Sequence, residues 1–166
     1  MGPLLDRHGL GASALSLEGA SRHSVSGDRA ELSLVFSNLI ENAIKYSDEP
    51  IRVSICVKAL REGRVEVEIS DQGIGIPPRE LRRIFRRFYR VGRDVQRQVS
   101  GLGLGLFVVR SILKRQGGRV VAHSAGDGRG SRFVVTLRGL PDPAGTPSTD
   151  SQTRETAGGD YIRRPR

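Results

Sequence analysis

The sequence predicts an α+β fold, a two-layer α/β sandwich with a mixed, mostly antiparallel sheet and helices on one face. Three observations predict it. Two long segments repeat apolar residues at helical spacing, and four shorter ones read as two strand pairs. The segments follow one another as helix, two strands, short helix, lid-like loop, helix and two strands. Helices with one apolar stripe and strands with one apolar face bury both only when stacked in layers.

Residues 1–22 show no clear period and read as a poorly ordered lead-in, with a short strand near Ala14 to Leu17. The first long helix begins at Asp28, a suitable N-cap, and Glu31 three residues on completes a capping-box-like pair. Leu32, Val35, Phe36, Leu39, Ile40, Ala43 and Ile44 follow the spacing of a buried stripe, and Pro50 lies beyond the helix end. A hairpin follows. Ile51, Val53, Ile55 and Val57 alternate with polar residues, as do Val65, Val67 and Ile69 after a turn at Glu62 and Gly63. Pro77 and Pro78 start a short helix expected to reach Arg83 or Ile84. Leu104 to Gln116 is the second long helix, stopped by Gly117 and Gly118. "RVVAHSA" and "SRFVVTL" are the second strand pair. The domain is expected over 23–140. Residues 141–166, rich in Pro, Gly, Ser, Thr and Asp, read as a disordered tail.

Composition narrows the function classes. No apolar run approaches the ~20 residues needed to cross a bilayer, and the N-terminus lacks the pattern of a secretory signal. Cys56 is the single cysteine, so no internal disulfide or cysteine-built metal site is expected, which fits a reducing compartment. The formal net charge is +9. Much of it sits between Arg79 and Arg97, where eight arginines face Glu80 and Asp94 for a net +6. Aromatic residues are sparse and no nucleic-acid motif appears, so the charge is not read as a nucleic-acid interface.

Three stretches carry candidate chemistry. On a wheel of ~100° per residue, Asn38, Asn42 and Lys45 share one strip beside the apolar face of the first helix, with Glu31 near the same line. Asparagine is a poor helix former, so the strip is either a satisfied polar pair or a ligand edge. Amide oxygens would suit a hard cation such as Mg²⁺, and Lys45 a phosphate. "DQGIGIP" is either an ordinary turn or a pocket floor, with Asp71 accepting from a ligand amino group and Gly73 and Gly75 admitting close backbone approach. "SGLGLGLFVVRSI" sets Gly101, Gly103 and Gly105 before a helix. It is either a flexible hinge or a phosphate cradle that uses free backbone N–H groups and the helix dipole. It matches neither a Walker loop nor a dinucleotide fingerprint. Arg79, Arg82, Arg83, Arg86, Arg87 and Arg90 fall at helical spacing, as on a solvated helix face.

Taken in order, "NLIENAIKYS", "DQGIGIP", "IFRRFYR" and "GLGLGL" resemble the N, G1, F and G2 boxes of the ATP-binding catalytic domain of sensor histidine kinases. That family lies within the superfamily of gyrase, the HSP90 chaperones and MutL. The resemblance spans about Ser26 to Leu137. It implies a sandwich with ATP held between helices and a flexible lid. Asn42 would hold Mg²⁺ with Asn38 in support, and Lys45 and Tyr46 would border the nucleotide. Asp71 would read the adenine amino group, with Gly73 and Gly75 shaping that wall. Gly101, Leu102, Gly103 and Gly105 would serve the lid hinge and phosphates, Arg90 would contact phosphate, and Phe85 and Phe88 would anchor the lid base. Hydrolysing relatives carry glutamate at the position of Asn38. An amide cannot act as a base, so slow hydrolysis and phosphoryl transfer to a better nucleophile are expected.

His8, His23 and His123 do not match the family's phosphoacceptor motif. The resemblance therefore implies a histidine on another domain or chain, a dimerisation and phosphoacceptor partner, and a response regulator downstream. A cytoplasmic location is expected, without membrane contact by this chain, as a fragment of a larger receptor or a stand-alone partner. An anti-sigma-type serine kinase and a non-catalytic ATP-binding module are the alternatives within the superfamily.

Overall fold

The computed structural model describes residues 14–19, 23–92 and 101–141. Residues 93–100 of the lid-like loop expected over 91–100, the tail beyond 141 and most of the lead-in lie outside the described residues. Among the described residues five strands form one sheet: β1 (Leu15–Glu18), β2 (Val53–Leu60), β3 (Arg64–Asp71), β4 (Arg119–His123) and β5 (Ser131–Arg138). Their order is β1-β2-β3-β5-β4. β1 runs parallel to β2, and every other pairing is antiparallel. The mixed, mostly antiparallel sheet thus matches the sequence expectation. The short strand expected at Ala14–Leu17 is β1, a member of this sheet inside the span read as a lead-in.

Two helices, α1 (Arg29–Lys45) and α2 (Gly105–Arg115), form the second layer and pack on each other. Asp28 caps α1 as its sequence suggests, its carboxylate accepting from the Glu31 N–H at 2.8 Å. The Glu31 side chain does not complete the capping box. It reaches instead to Arg115 and Gln116 at the far end of α2. Gln116 also accepts from the Asp28 N–H at 3.2 Å, so the start of α1 and the end of α2 are tied together.

The α1 stripe and the inward faces of β2, β3 and β5 meet in one core. Val35, Leu39, Ile69, Val109, Leu113, Val135 and Leu137 are fully enclosed there. Phe36, expected in the stripe, is only half-buried at the core margin. On the outer face Lys58 sits opposite Glu66, as strand alternation suggests, while Glu68 pairs with Arg132 of β5 at 3.3 Å.

One expected element is absent. Pro78–Glu80 and Arg83–Phe85 are two separate 3₁₀ turns, not one helix. Arg86 is extended, Phe88 has φ of 58°, and the arginines of this stretch therefore share no helical face.

Leu39→Ala should lower the unfolding free energy by about 2–5 kcal/mol, since the enclosed site leaves a cavity. Leu34→Ala, on the 48% exposed side of the same helix, should stay within about 0.5 kcal/mol. Urea denaturation of both variants checks the contrast.

Candidate functional site

A cavity of about 340 Å³ opens between α1, the start of α2 and the ends of β3 and β5. This lies in the size range of small-molecule sites. Asn38, Asn42 and Lys45 line it from α1, and Tyr46 from the helix cap. Asp71 lines it from the last position of β3, Gly75 from the turn that follows, Arg90 from the arginine-rich segment, and Gly101, Leu102, Gly103 and Gly105 from the glycine stretch. Residues scattered over more than sixty sequence positions thus face one volume. Gly73 alone among the sequence-predicted site residues does not line it. A Cβ on it would lie 1.7 Å from the Tyr46 carbonyl oxygen, so only glycine lets the turn after β3 lie on the end of α1. The Ile74 N–H, next along, donates to that carbonyl at 3.0 Å.

Asp71 is 8% exposed at the cavity floor. Its Oδ1 accepts from the Gly73 N–H at 3.0 Å and the Ser131 N–H at 3.1 Å, and its Oδ2 from the Ser131 hydroxyl at 2.5 Å. A carboxylate offers about four acceptor positions, so Oδ2 keeps one for a further donor. Sequence reading missed Ser131. It becomes visible only through the β3–β5 register, which sets Asp71 beside Ser131. Tyr89 and the apolar walls Ile74, Ile76 and Phe133 were missed likewise, while Glu41, which the helical wheel sets ~100° from Asn42 and which is given no role as a base on that ground, lines the cavity too.

The opposite rim is basic. Burial and the neighbouring Arg90 guanidinium lower the Lys45 ammonium from its ordinary value, with Glu41 acting against them. Two cations held together in this way favour an anion between them. Arg90 also donates to the Gly101 carbonyl at 3.2 Å. At the start of α2 the N-cap position is Leu104, which offers no side-chain acceptor to the first-turn N–H groups. Gly105 has a spatial reason too, because a Cβ there would meet the Asn38 Oδ1 at 2.7 Å. Asn38 itself donates back to the Leu34 carbonyl at 2.8 Å.

The arginine-rich segment is built around a buried carboxylate. Glu80 accepts from the Tyr89 hydroxyl and faces Arg83 at 3.4 Å and Arg79 at 3.6 Å. Its hydrogen bond holds the Tyr89 phenol above the usual range. Phe85 is buried edge-on against Phe133. Phe88, expected as its fellow anchor, is instead 70% exposed. Its positive φ turns the ring out, while its N–H donates to the Gly103 carbonyl at 3.0 Å.

Residues 27–140 match the model of the family described as histidine kinase-, DNA gyrase B-, and HSP90-like ATPase. The chain belongs to this ATPase family. Among its relatives, the sensor-like histidine kinase SenX3 of Mycolicibacterium smegmatis is 34% identical over 130 residues, which cover 78% of this chain and 33% of that protein. The signal transduction histidine-protein kinase/phosphatase MprB of Mycobacterium avium is 38% identical over 133 residues, covering 76% and 25%. The chain thus spans a quarter to a third of the length of these two relatives. A solved structure of mycobacterial sensor histidine kinase MprB superimposes with a TM-score of 0.70 at 30% identity, covering 84% of this chain and 92% of that one. The catalytic domain of histidine kinase ThkA, at 22% identity and a TM-score of 0.65, shares the fold, with 81% and 86% covered. This ATPase-family chain therefore has the fold and the relatives that its four boxes imply.

Gly73→Ala should cost about 3 kcal/mol or more, since its Cβ would overlap fixed backbone. Gly128→Ala has φ of 68° but open space around it, and should cost only the left-handed backbone penalty of about 1 kcal/mol. Thermal or urea melts of the two variants test the difference.

Proposed function

We propose that this chain is the ATP-binding catalytic part of a two-component sensor histidine kinase, transferring the γ-phosphoryl group of ATP to a histidine on another domain or chain. The observation that carries this reading is convergence. An amide strip, a carboxylate with one open acceptor position, a basic pair and an uncapped helix start line a single cavity. We take the ATP-binding unit to be residues 23–140, with β1 as an added edge strand.

In this reading Asp71 accepts from the adenine 6-amino group, and Ser131 holds its carboxylate in place. Ile74, Gly75 and Ile76 wall the base, and Tyr46 borders it. Lys45 and Arg90 bind phosphate oxygens, together with the backbone of Gly101, Leu102, Gly103 and Gly105. The Asn42 amide oxygen is the ligand for Mg²⁺, and Asn38 supports it. Among the described residues no group of three or more His, Cys, Asp or Glu side chains is arranged to hold a metal. That fits Mg²⁺, which takes few protein ligands beside substrate phosphates. When bound, the ion would neutralise charge on the phosphates.

The chain's own contribution is positioning and charge stabilisation. Asn38 cannot take a proton from water, so hydrolysis is slow and the phosphoryl group is kept for an imidazole. The acceptor is a dimerisation and phosphoacceptor domain, and a response regulator lies downstream. No described helix is long and apolar enough to cross a membrane. We assign the chain to the cytoplasm, where ATP is supplied.

Incubation with labelled ATP and a cognate phosphoacceptor domain should give acid-labile label on histidine. Acid-stable label on serine of an antagonist protein would favour the anti-sigma type instead. Calorimetry with Mg·ATP should show Asn42→Ala and Asp71→Ala each weakening binding at least about tenfold, or ~1.4 kcal/mol, with unchanged cooperative melting. Parent-like binding by both would remove the site assignment.

Affinity should also fall as pH rises through the lowered Lys45 value, because deprotonation removes a cation from the phosphates. Lys45→Met should flatten that part of the profile, as read by calorimetry across the alkaline range.

A further inference from the structure

Ser124 follows β4, outside the four boxes. Its hydroxyl accepts from the Ile76 N–H at 3.0 Å and the Gly126 N–H at 3.2 Å, and donates to the Gly130 carbonyl at 2.6 Å. The Gly126 carbonyl, at 3.4 Å, is the weaker alternative for the same proton. A serine hydroxyl has one proton and two lone pairs, so these three bonds use its whole capacity.

One bond crosses to Ile76 in the turn after β3, and the other two brace the turn between β4 and β5 itself, at Gly126 and at Gly130, which directly precedes Ser131. Two more bonds join the same surfaces: the Gly128 N–H donates to the Ile74 carbonyl at 2.8 Å, and the Gly130 N–H to the Gly73 carbonyl at 3.0 Å. The approach admits no side chain. A Cβ on Gly75 would lie 2.0 Å from the Gly126 carbonyl oxygen, and one on Gly130 2.1 Å from that of Asp71.

We propose that Ser124 is a positioning residue for purine selection, locking the 124–130 turn onto the 73–76 segment and so fixing how Asp71 and Ser131 meet the base. This rests on reading the cavity as an ATP site. Adenine presents an N–H donor at its 6-position, whereas guanine presents a carbonyl. A carboxylate held rigidly accepts from the first and opposes the second. The Ser131 hydroxyl now donates to Asp71. In a loosened turn it can swing round and donate to a guanine carbonyl, and discrimination is lost. Removing the Ser124 hydroxyl loosens the turn by leaving two N–H groups and one carbonyl without their partner.

The test is calorimetry of Mg·ATP and Mg·GTP on the full chain, its Ser124→Ala variant and its Ser124→Thr variant, each with a thermal melt. Ser124→Ala should lower the ATP-to-GTP affinity ratio about tenfold, or ~1.4 kcal/mol of difference between the two nucleotides. Ser124→Thr, which keeps the hydroxyl, should restore the ratio. If Ser124→Ala does not melt cooperatively, Ser124→Cys, which keeps a side chain of similar size and a weaker donor, is read in the same way. An unchanged ratio, equal weakening of both nucleotides, or failure of threonine to restore the ratio overturns the proposal while leaving the ATP site intact. A parent chain that binds neither nucleotide overturns the ATP reading and this proposal with it.

Discussion

The site depends on backbone lying directly on backbone. Gly73 rests against the Tyr46 carbonyl at a distance that no Cβ permits, and this contact joins the end of α1 to the end of β3. Asn42 and Lys45 sit in the last turns of that helix, and Asp71 is the last residue of that strand. Their separation is therefore set by a contact with no side-chain freedom in it. Packed interiors transmit such constraints because they have few voids to absorb a shift. A site that must hold an extended ligand at both ends gains from a rigid span between them.

Much of the fold was legible because periodicity reports burial directly. The stripe on α1 and the alternation in β2 and β3 each mark one apolar face, and the core is where those faces meet. The two-proline segment was misread for a physical reason. Helical spacing of the arginines reflected charge, which has no partner layer to confirm it, whereas the only deep anchors there are Glu80, Ile84 and Phe85. Burying Glu80 with Tyr89, Arg79 and Arg83 around it holds two short turns in place of a helix. Glu31 was legible as a cap residue but not as the partner of Arg115 and Gln116, because residues more than eighty positions apart meet only in three dimensions.

The site was legible in its motifs and illegible in its supports. Asparagines in a helix, glycines before one and an aspartate after a strand all break local propensity, and such breaks gather at functional positions. Ser131 and Ser124 break nothing. A serine in a turn is ordinary, so their part emerges only from register and hydrogen bonds. Phe88 shows the converse. A motif gave it an anchoring role, but a single left-handed backbone angle turned its ring toward solvent.

The segments at either end of the family-matched region lie side by side. Val25 bridges Gly139, the Ser26 N–H donates to the Arg138 carbonyl at 2.9 Å, and the Leu140 N–H donates to that of Ser24 at 2.8 Å. A unit whose two ends emerge together can be spliced into a longer polypeptide as a cassette, disturbing neither neighbour's geometry. A pull applied across those ends would peel this short ladder open, the Leu140–Ser24 bond first, before it reached the helices or the cavity.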